Sequence, residues 1–299
     1  MSVGHQPVLL EEVLQALQPR PGGAYIDCTV GDGGHAAAIL ERSAPDGRLL
    51  GLEADQAAVA MAAGRLAPFG DRVVLIQRNF RHLDETTRQL QFPPAAGVLL
   101  DLGMSSRQLG ASGRGFSFQH DEPLDMRFDP SVGLSAAELL NQLSEEAIAD
   151  LLFQYGDERR SRRIARAIVQ RRVTRRLART ADLVDAVQAA VGPRRGRIHP
   201  ATRTFQALRI AVNDELGALE AVLPKAVACL RAGGRLAVIS FHSLEDRIVK
   251  RFIRSRAVAS SEQDLLLLDL SRRPVVASGS ERAANPRARS AKLRFAERR

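Results

Sequence analysis

The chain has 299 residues, room for about two domains of ordinary size, which excludes a minimal module stapled by disulfides. Apolar residues make up 45% and charged residues 26%, and no run of about 18 apolar residues occurs, so a spanning helix is excluded and a cytosolic protein is expected. The formal charge is +9, and every basic residue except Lys225, Lys250 and Lys292 is arginine. Arginine's planar fork grips two oxygens of a phosphate, although the same excess also serves solubility. The opening stretch MSVGHQPVLLEEVLQAL carries Glu11 and Glu12 within its apolar pattern and lacks a basic leader, so no signal peptide is expected. Cys28 and Cys229 have no partners at ligand spacing, so neither a disulfide framework nor a metal site is expected. With aromatics at 4% and no tryptophan, a stacking platform for single-stranded nucleic acid has little support.

Leu9, Leu10, Val13, Leu14 and Leu17 recur at helical spacing and predict an opening amphipathic helix. Strands are then predicted at 24–30, 48–53, 73–79 and 97–103, separated by helices at 35–42 and 56–66 and an irregular or helical segment at 83–90. This alternation is the signature of βαβ units on a parallel sheet, and a Rossmann-like α/β domain follows from it. The alternation stops near 105. A polar loop at 112–130 and a long helical, arginine-rich stretch run to about 213. Strand character returns at 235–241, after the Ala232-Gly233-Gly234 turn, and at 274–278 and 291–297, the last two expected to pair antiparallel at the sheet edge. The stretch 282–289 reads as a polar loop. The sheet sequence is therefore split, with 1–106 and 213–299 forming one domain and 107–212 a helical insertion.

The first strand leads into Asp27-Cys28-Thr29-Val30-Gly31-Asp32-Gly33-Gly34-His35, a glycine-rich turn before a helix. Such glycines let a backbone turn tightly against a ligand, and Glu53 closes the second strand 22 residues beyond Gly31, where an acid takes ribose hydroxyls. The pair of features predicts a nucleoside cofactor. Asp27 and Asp32 would repel a pyrophosphate and welcome a sulfonium or ammonium, which favours S-adenosylmethionine over NAD. Phe80 after the third strand offers a ring to cover adenine, and Asp101 ends the fourth strand. His242, after the fifth strand, reads as a proton acceptor or a hydrogen-bond donor, and Asp125, in Pro123-Leu124-Asp125-Met126-Arg127, is a second candidate acceptor. Asp125 and Arg127 also read as a local ion pair that orders their loop. Ten arginines lie between 159 and 179, followed by Arg194, Arg195 and Arg197, with few acids at helical spacing. Their unpaired density points to phosphate contact.

Seven segments together resemble the bacterial RsmH family, also called MraW. They are GDGGH at 31–35, LLDLGMSS at 99–106, RGFSF at 114–118, PLDMR at 123–127, HPATRTFQALRIAVNDEL at 199–216, ISFHSLEDRIVKRF at 239–252 and NPRARSAKLR at 285–294. The resemblance runs from about His5 to the C-terminus. It implies a class I S-adenosylmethionine-dependent methyltransferase sheet with an inserted helical substrate domain. It also implies methyl transfer to the exocyclic N4 of a cytidine in 16S ribosomal RNA, in the decoding region of the small subunit. By the same resemblance the cofactor contacts are Gly33, Gly34, His35, Glu53, Phe80, Asp101 and Gln108. Position 53 departs from the family's usual aspartate by one methylene. The Asp/Asn-Pro-Pro-aromatic motif of many amino-methylating enzymes is replaced by Asp101-Leu102-Gly103-Met104.

Overall fold

The computed structural model describes residues 7–104, 110, 112–193, 199–257 and 267–299. The chain divides into two compact units, one made of Met1–Gly103 with Leu216–Arg299, the other of Met104–Glu215.

The first unit is built on a seven-stranded sheet in the order β3-β2-β1-β4-β5-β7-β6. Its strands are β1 (Ala24–Asp27), β2 (Arg48–Glu53), β3 (Val73–Gln77), β4 (Ala95–Asp101), β5 (Leu230–Ser240), β6 (Leu267–Asp269) and β7 (Lys292–Arg298). The first five strands pair in parallel, and β7 runs antiparallel between β5 and β6. Helices α1 (Leu10–Leu17), α2 (Gly34–Arg42), α3 (Gln56–Leu66), α4 (Leu83–Gln89), α10 (Glu215–Cys229), α11 (Ser243–Ala257) and α12 (Gly279–Ala284) supply its covers.

Strand residues alternate between two cores because successive side chains point to opposite faces. Tyr25, Leu49, Leu99 and Ala237 pack with Val13, Leu17, Ile39 and Leu66 from α1, α2 and α3. Ile26, Leu50, Val98, Leu100 and Val238 pack instead with Leu83 of α4, Val222 and Leu223 of α10, and Val249 and Ile253 of α11. Burial on both faces explains why the central strands read as unbroken apolar runs. The strand order reverses between β1 and β4, and the crevice at such a switch point is where open α/β sheets bind ligands.

Two expectations for the C-terminal part are corrected. The segment at 274–278 is not a sheet strand and contributes only a bridge from Val275 to Leu293. The antiparallel partner of β7 is β6, which matches Leu267, Leu268 and Asp269 to Arg298, Glu297 and Ala296. Both segments use the outer edge of β7, and Pro274 lacks the N–H needed to extend the second pairing. The expected polar loop at 282–289 holds the end of α12 and a 3₁₀ turn at Pro286–Arg289. Ser278 starts α12 by accepting from Glu281 N at 3.1 Å, and Asn285 starts the turn by accepting from Arg287 N at 3.2 Å.

The second unit is helical: α5 (Ala136–Gln142), α6 (Glu145–Gly156), α7 (Ser161–Thr174), α8 (Thr180–Val191) and α9 (Thr202–Asn213). Its core joins Leu140, Ile148, Leu152, Ile164, Ile168, Leu183 and Phe205 with Phe116, Leu124 and Met126 from the loop at 112–130. That loop is fastened to the start of α8, because Glu122 N donates to Thr180 Oγ1 at 3.1 Å and Arg179 Nε to Asp121 at 2.6 Å.

The arginine block is better paired than helical spacing suggested. Arg171 reaches Asp182 at 3.4 Å and Asp185 at 3.1 Å, and Arg166 lies 3.4 Å from Glu145. Arg172 donates to the carbonyls of Leu140 at 2.6 Å and Leu143 at 2.7 Å, so its charge closes the C-terminus of α5. Replacing Arg172 by glutamine removes both bonds and lowers stability by about 1–3 kcal/mol, measured by denaturant unfolding. Arg162, Arg163 and Arg176 are exposed and make no ion pair among the described residues. Arg194, Arg195 and Arg197 lie outside the described residues.

Candidate active site

The register of the sheet brings Asp27, Glu53 and Asp101 to the carboxyl edge of β1, β2 and β4. From β1 the chain enters the turn to α2, where Gly31 and Gly33 take φ of 53° and 80°. A side chain is strained in that left-handed region, so the turn needs glycine there. Thr29 ties the turn to its neighbour by accepting from Asp101 N at 2.6 Å.

Glu53 is the acid that fastens this turn. Its Oε2 accepts from Gly31 N at 3.0 Å and its Oε1 from Asp55 N at 2.9 Å. The extra methylene relative to aspartate lets one carboxylate span both backbone groups. Burial pushes the Glu53 carboxyl above its ordinary range, against the N–H bonds of Asp55, Gly31 and Ala54 that favour the charged form. A carboxylate has about four acceptor sites, so Glu53 retains accepting capacity beyond these N–H bonds.

Asp27 differs from its sequence reading. It is 1% exposed, and burial raises its carboxyl to about 7, opposed by the Thr29 N–H bond at 3.0 Å and reinforced by the charges of Asp101 and Glu53. A buried acid with a raised carboxyl contributes less repulsion toward a pyrophosphate than an open one, so Asp32 and Asp101 supply most of that repulsion. A carboxyl raised above its unfolded value adds stability below about pH 4, and that contribution is lost as pH rises through about 7. Asp27→Asn cannot ionise and keeps an oxygen for Thr29 N. Relative to the parent protein, its melting temperature is therefore higher at pH 8 than at pH 5. Thermal melts at the two values check the sign.

His35 opens α2 and is buried, with Nε2 3.0 Å from the carbonyl of Val8 and Nδ1 3.6 Å from Asp101 Oδ2. Gly33 and Gly34 precede it in the same turn. Phe80 begins a 3₁₀ turn after β3, started by the Asn79 side chain, and is partly buried against the apolar cluster that holds Ile26, Leu50 and Leu100. Gln108 lies outside the described residues. The same sheet edge holds His242, which leads into α11. Glu245, 2% exposed, caps that helix by accepting from Phe241 N at 2.7 Å and His242 N at 3.2 Å. His242 Nδ1 accepts from Glu245 N at 3.4 Å, and its Nε2 lies 3.1 Å from Glu245 Oε1, off the hydrogen-bonding direction. Glu245 thus engages the ring through Nδ1, while Nε2 has no hydrogen-bond partner among the described residues.

Asp125 belongs to the helical unit. Arg127 grips it with backbone N at 3.0 Å, Nε at 2.8 Å and Nη2 at 2.8 Å. Burial raises the Asp125 carboxyl, but the Arg127 bonds and charge outweigh it and leave the group below the ordinary carboxylate range. Such an acid is a weak proton acceptor.

The site tests well against S-adenosylmethionine. Asp27 Oδ2 and Asp32 Oδ1 are buried oxygens without a hydrogen-bond partner among the described residues, and a buried acceptor left unmet is costly. A cationic, donor-bearing ligand over a glycine turn meets that need. When bound, the sulfonium supplies an electrophilic methyl group. Among the described residues no three histidine, cysteine or acidic side chains stand together as a metal site.

Five parallel strands, an antiparallel strand slipped in beside β5 and an acid-lined glycine turn at the switch point define a class I S-adenosylmethionine-dependent methyltransferase. The family profile described as the MraW methylase family matches residues 2–299. The chain belongs to this family. Curated relatives named ribosomal RNA small subunit methyltransferase H include that of Symbiobacterium thermophilum, 53% identical over 98% of this chain and 96% of its own. Those of Heliobacterium modesticaldum and Geotalea uraniireducens are 51% and 52% identical, each over 98% of both chains.

Proposed function

We propose that this enzyme transfers the methyl group of S-adenosylmethionine to the exocyclic N4 of a cytidine in 16S ribosomal RNA, in the decoding region of the small subunit. The observation that carries the reading is identity of 51–53% along nearly the whole chain with enzymes named for small-subunit RNA methylation. Gly33, Gly34, His35, Glu53, Phe80, Asp101 and Gln108 hold the cofactor, and the helical unit recognises the RNA. Among the described residues no helix is long and apolar enough to cross a membrane, which accords with work on ribosomal subunits in the cytoplasm.

The amino nitrogen of cytosine is a poor nucleophile because its lone pair is delocalised into the ring. The protein's task is to orient it toward the methyl group and to receive its proton. Asp125 and His242 are each restrained as described, so their contribution lies in holding the substrate-side loop and the α11 turn in place.

Incubation with tritiated S-adenosylmethionine, small subunits and naked 16S RNA tests the reading. Label enters the RNA; label in ribosomal protein, or in neither, overturns it. The exposed arginines Arg162, Arg163 and Arg176 dock phosphates in this account. Changing all three to glutamine flattens the slope of log affinity against log salt by about 1–3, with cofactor affinity unchanged. An unaltered slope places the RNA contacts elsewhere.

A further inference from the structure

The C-terminal motif around Arg287 has no part in the site as described above, yet it is carried to the same sheet edge. Ala288 and Ala291 are buried in one apolar cluster with Val8, Leu9, Ala36 and Ile39. Glu281 of α12 accepts from Leu9 N at 2.8 Å. Leu9 holds a φ of 54°, a strained value for a branched side chain, so this bond fixes an otherwise unfavourable backbone. The same N-terminal segment lies on the glycine turn: a Cβ added to Gly34 would stand 2.5 Å from Pro7 Cγ, and Val8 O faces His35 Nε2 at 3.0 Å. The two chain-end segments thus meet over the cofactor turn. Between them the capped 3₁₀ turn presents a half-buried Arg287 to the charges of Asp101 and Asp32.

S-Adenosylmethionine brings three charges to this edge: a positive sulfonium, a positive ammonium and a negative carboxylate. Asp32 and Asp101 suit the two cations and oppose the carboxylate. An arginine within electrostatic reach of them offsets one of their two charges, and its planar fork matches a carboxylate with two parallel bonds. We propose that Arg287 binds the carboxylate at the methionine end of the cofactor and makes the site selective for the intact amino-acid tail. Burial pulls the Arg287 pKa down while the two aspartates hold it up, so the guanidinium remains charged and poorly hydrated, and its pairing with an anion is strengthened. The inference rests on the cofactor assignment above.

The test compares S-adenosylmethionine with its decarboxylated analogue, which keeps the sulfonium and the amine, by calorimetry on the full chain. Arg287→Gln weakens binding of S-adenosylmethionine by about 10- to 100-fold and leaves the analogue within about twofold of the parent protein. Arg287→Lys, which keeps the charge and loses the fork, recovers part of the difference; it carries the same comparison if the glutamine variant does not fold. Arg254→Gln is the control. Arg254 is exposed in the last turn of α11, away from the glycine turn, and its loss changes neither ligand. Equal weakening of both ligands, or of neither, overturns the role assigned to Arg287. Failure of the parent protein to bind S-adenosylmethionine overturns the cofactor assignment and this inference with it, and is distinguished because no variant is involved.

Discussion

Replacing Glu53 by alanine raises the dissociation constant for S-adenosylmethionine by about 100-fold. One carboxylate holds the N–H of Gly31 in the turn and that of Asp55 at the start of α3, at 3.0 and 2.9 Å. Its loss leaves two backbone donors unmet at the edge of a buried strand, each costing about 1–3 kcal/mol, and removes the acceptor for the ribose. Turn and ribose contact therefore fail together. Glu53→Gln keeps one carbonyl oxygen for one of the two donors and loses about tenfold. Titration with S-adenosylmethionine measures both variants. Parent-like affinity in each means the ribose is held elsewhere.

Asp125→Ala lowers single-turnover methyl transfer by about 100-fold, and Arg127→Ala lowers it by about the same amount. The double variant is no worse than either, because the two side chains act as one fork of two parallel bonds, both 2.8 Å long. The pair orders the loop that carries Leu124 and Met126 into the helical core. A carboxylate held below its ordinary range is ionised throughout pH 5–9, so Asp125 introduces no inflection into the pH–rate profile over that interval. If Asp125 were instead the proton acceptor, Asp125→Ala would be far more damaging than Arg127→Ala, since freeing the carboxylate from Arg127 would strengthen it as a base.

The sheet was readable from sequence because its parallel strands are covered on both faces and appear as continuous apolar runs. The glycine turn and the acid of β2 were readable because the βα geometry fixes their spacing. What escaped the reading depends on tertiary contact. Arg171 meets Asp182 and Asp185 at separations of 11 and 14 residues, Arg172 meets carbonyls 29 and 32 residues away, and Arg179 meets Asp121 across 58. Helical spacing cannot report such pairs, so the arginine block looked less paired than it is. Strand β6 has three residues, too few to show alternation. Asp27 carries no mark in sequence of its nearly complete burial. Ser278 and Glu281 do form a legible start signal for α12, hidden within a stretch whose composition reads as loop. The role proposed for Arg287 was beyond reach for the same reason as the arginine pairs, since it depends on the two ends of the chain meeting over one turn.

The most direct test is nucleoside mass spectrometry of 16S RNA from cells with and without the gene. The account predicts loss of an N4-methylated cytidine from the decoding region in the deletion strain. The modification returns with the parent gene and is sharply reduced with Glu53→Ala at equal protein level. An unchanged nucleoside profile in the deletion strain would contradict it.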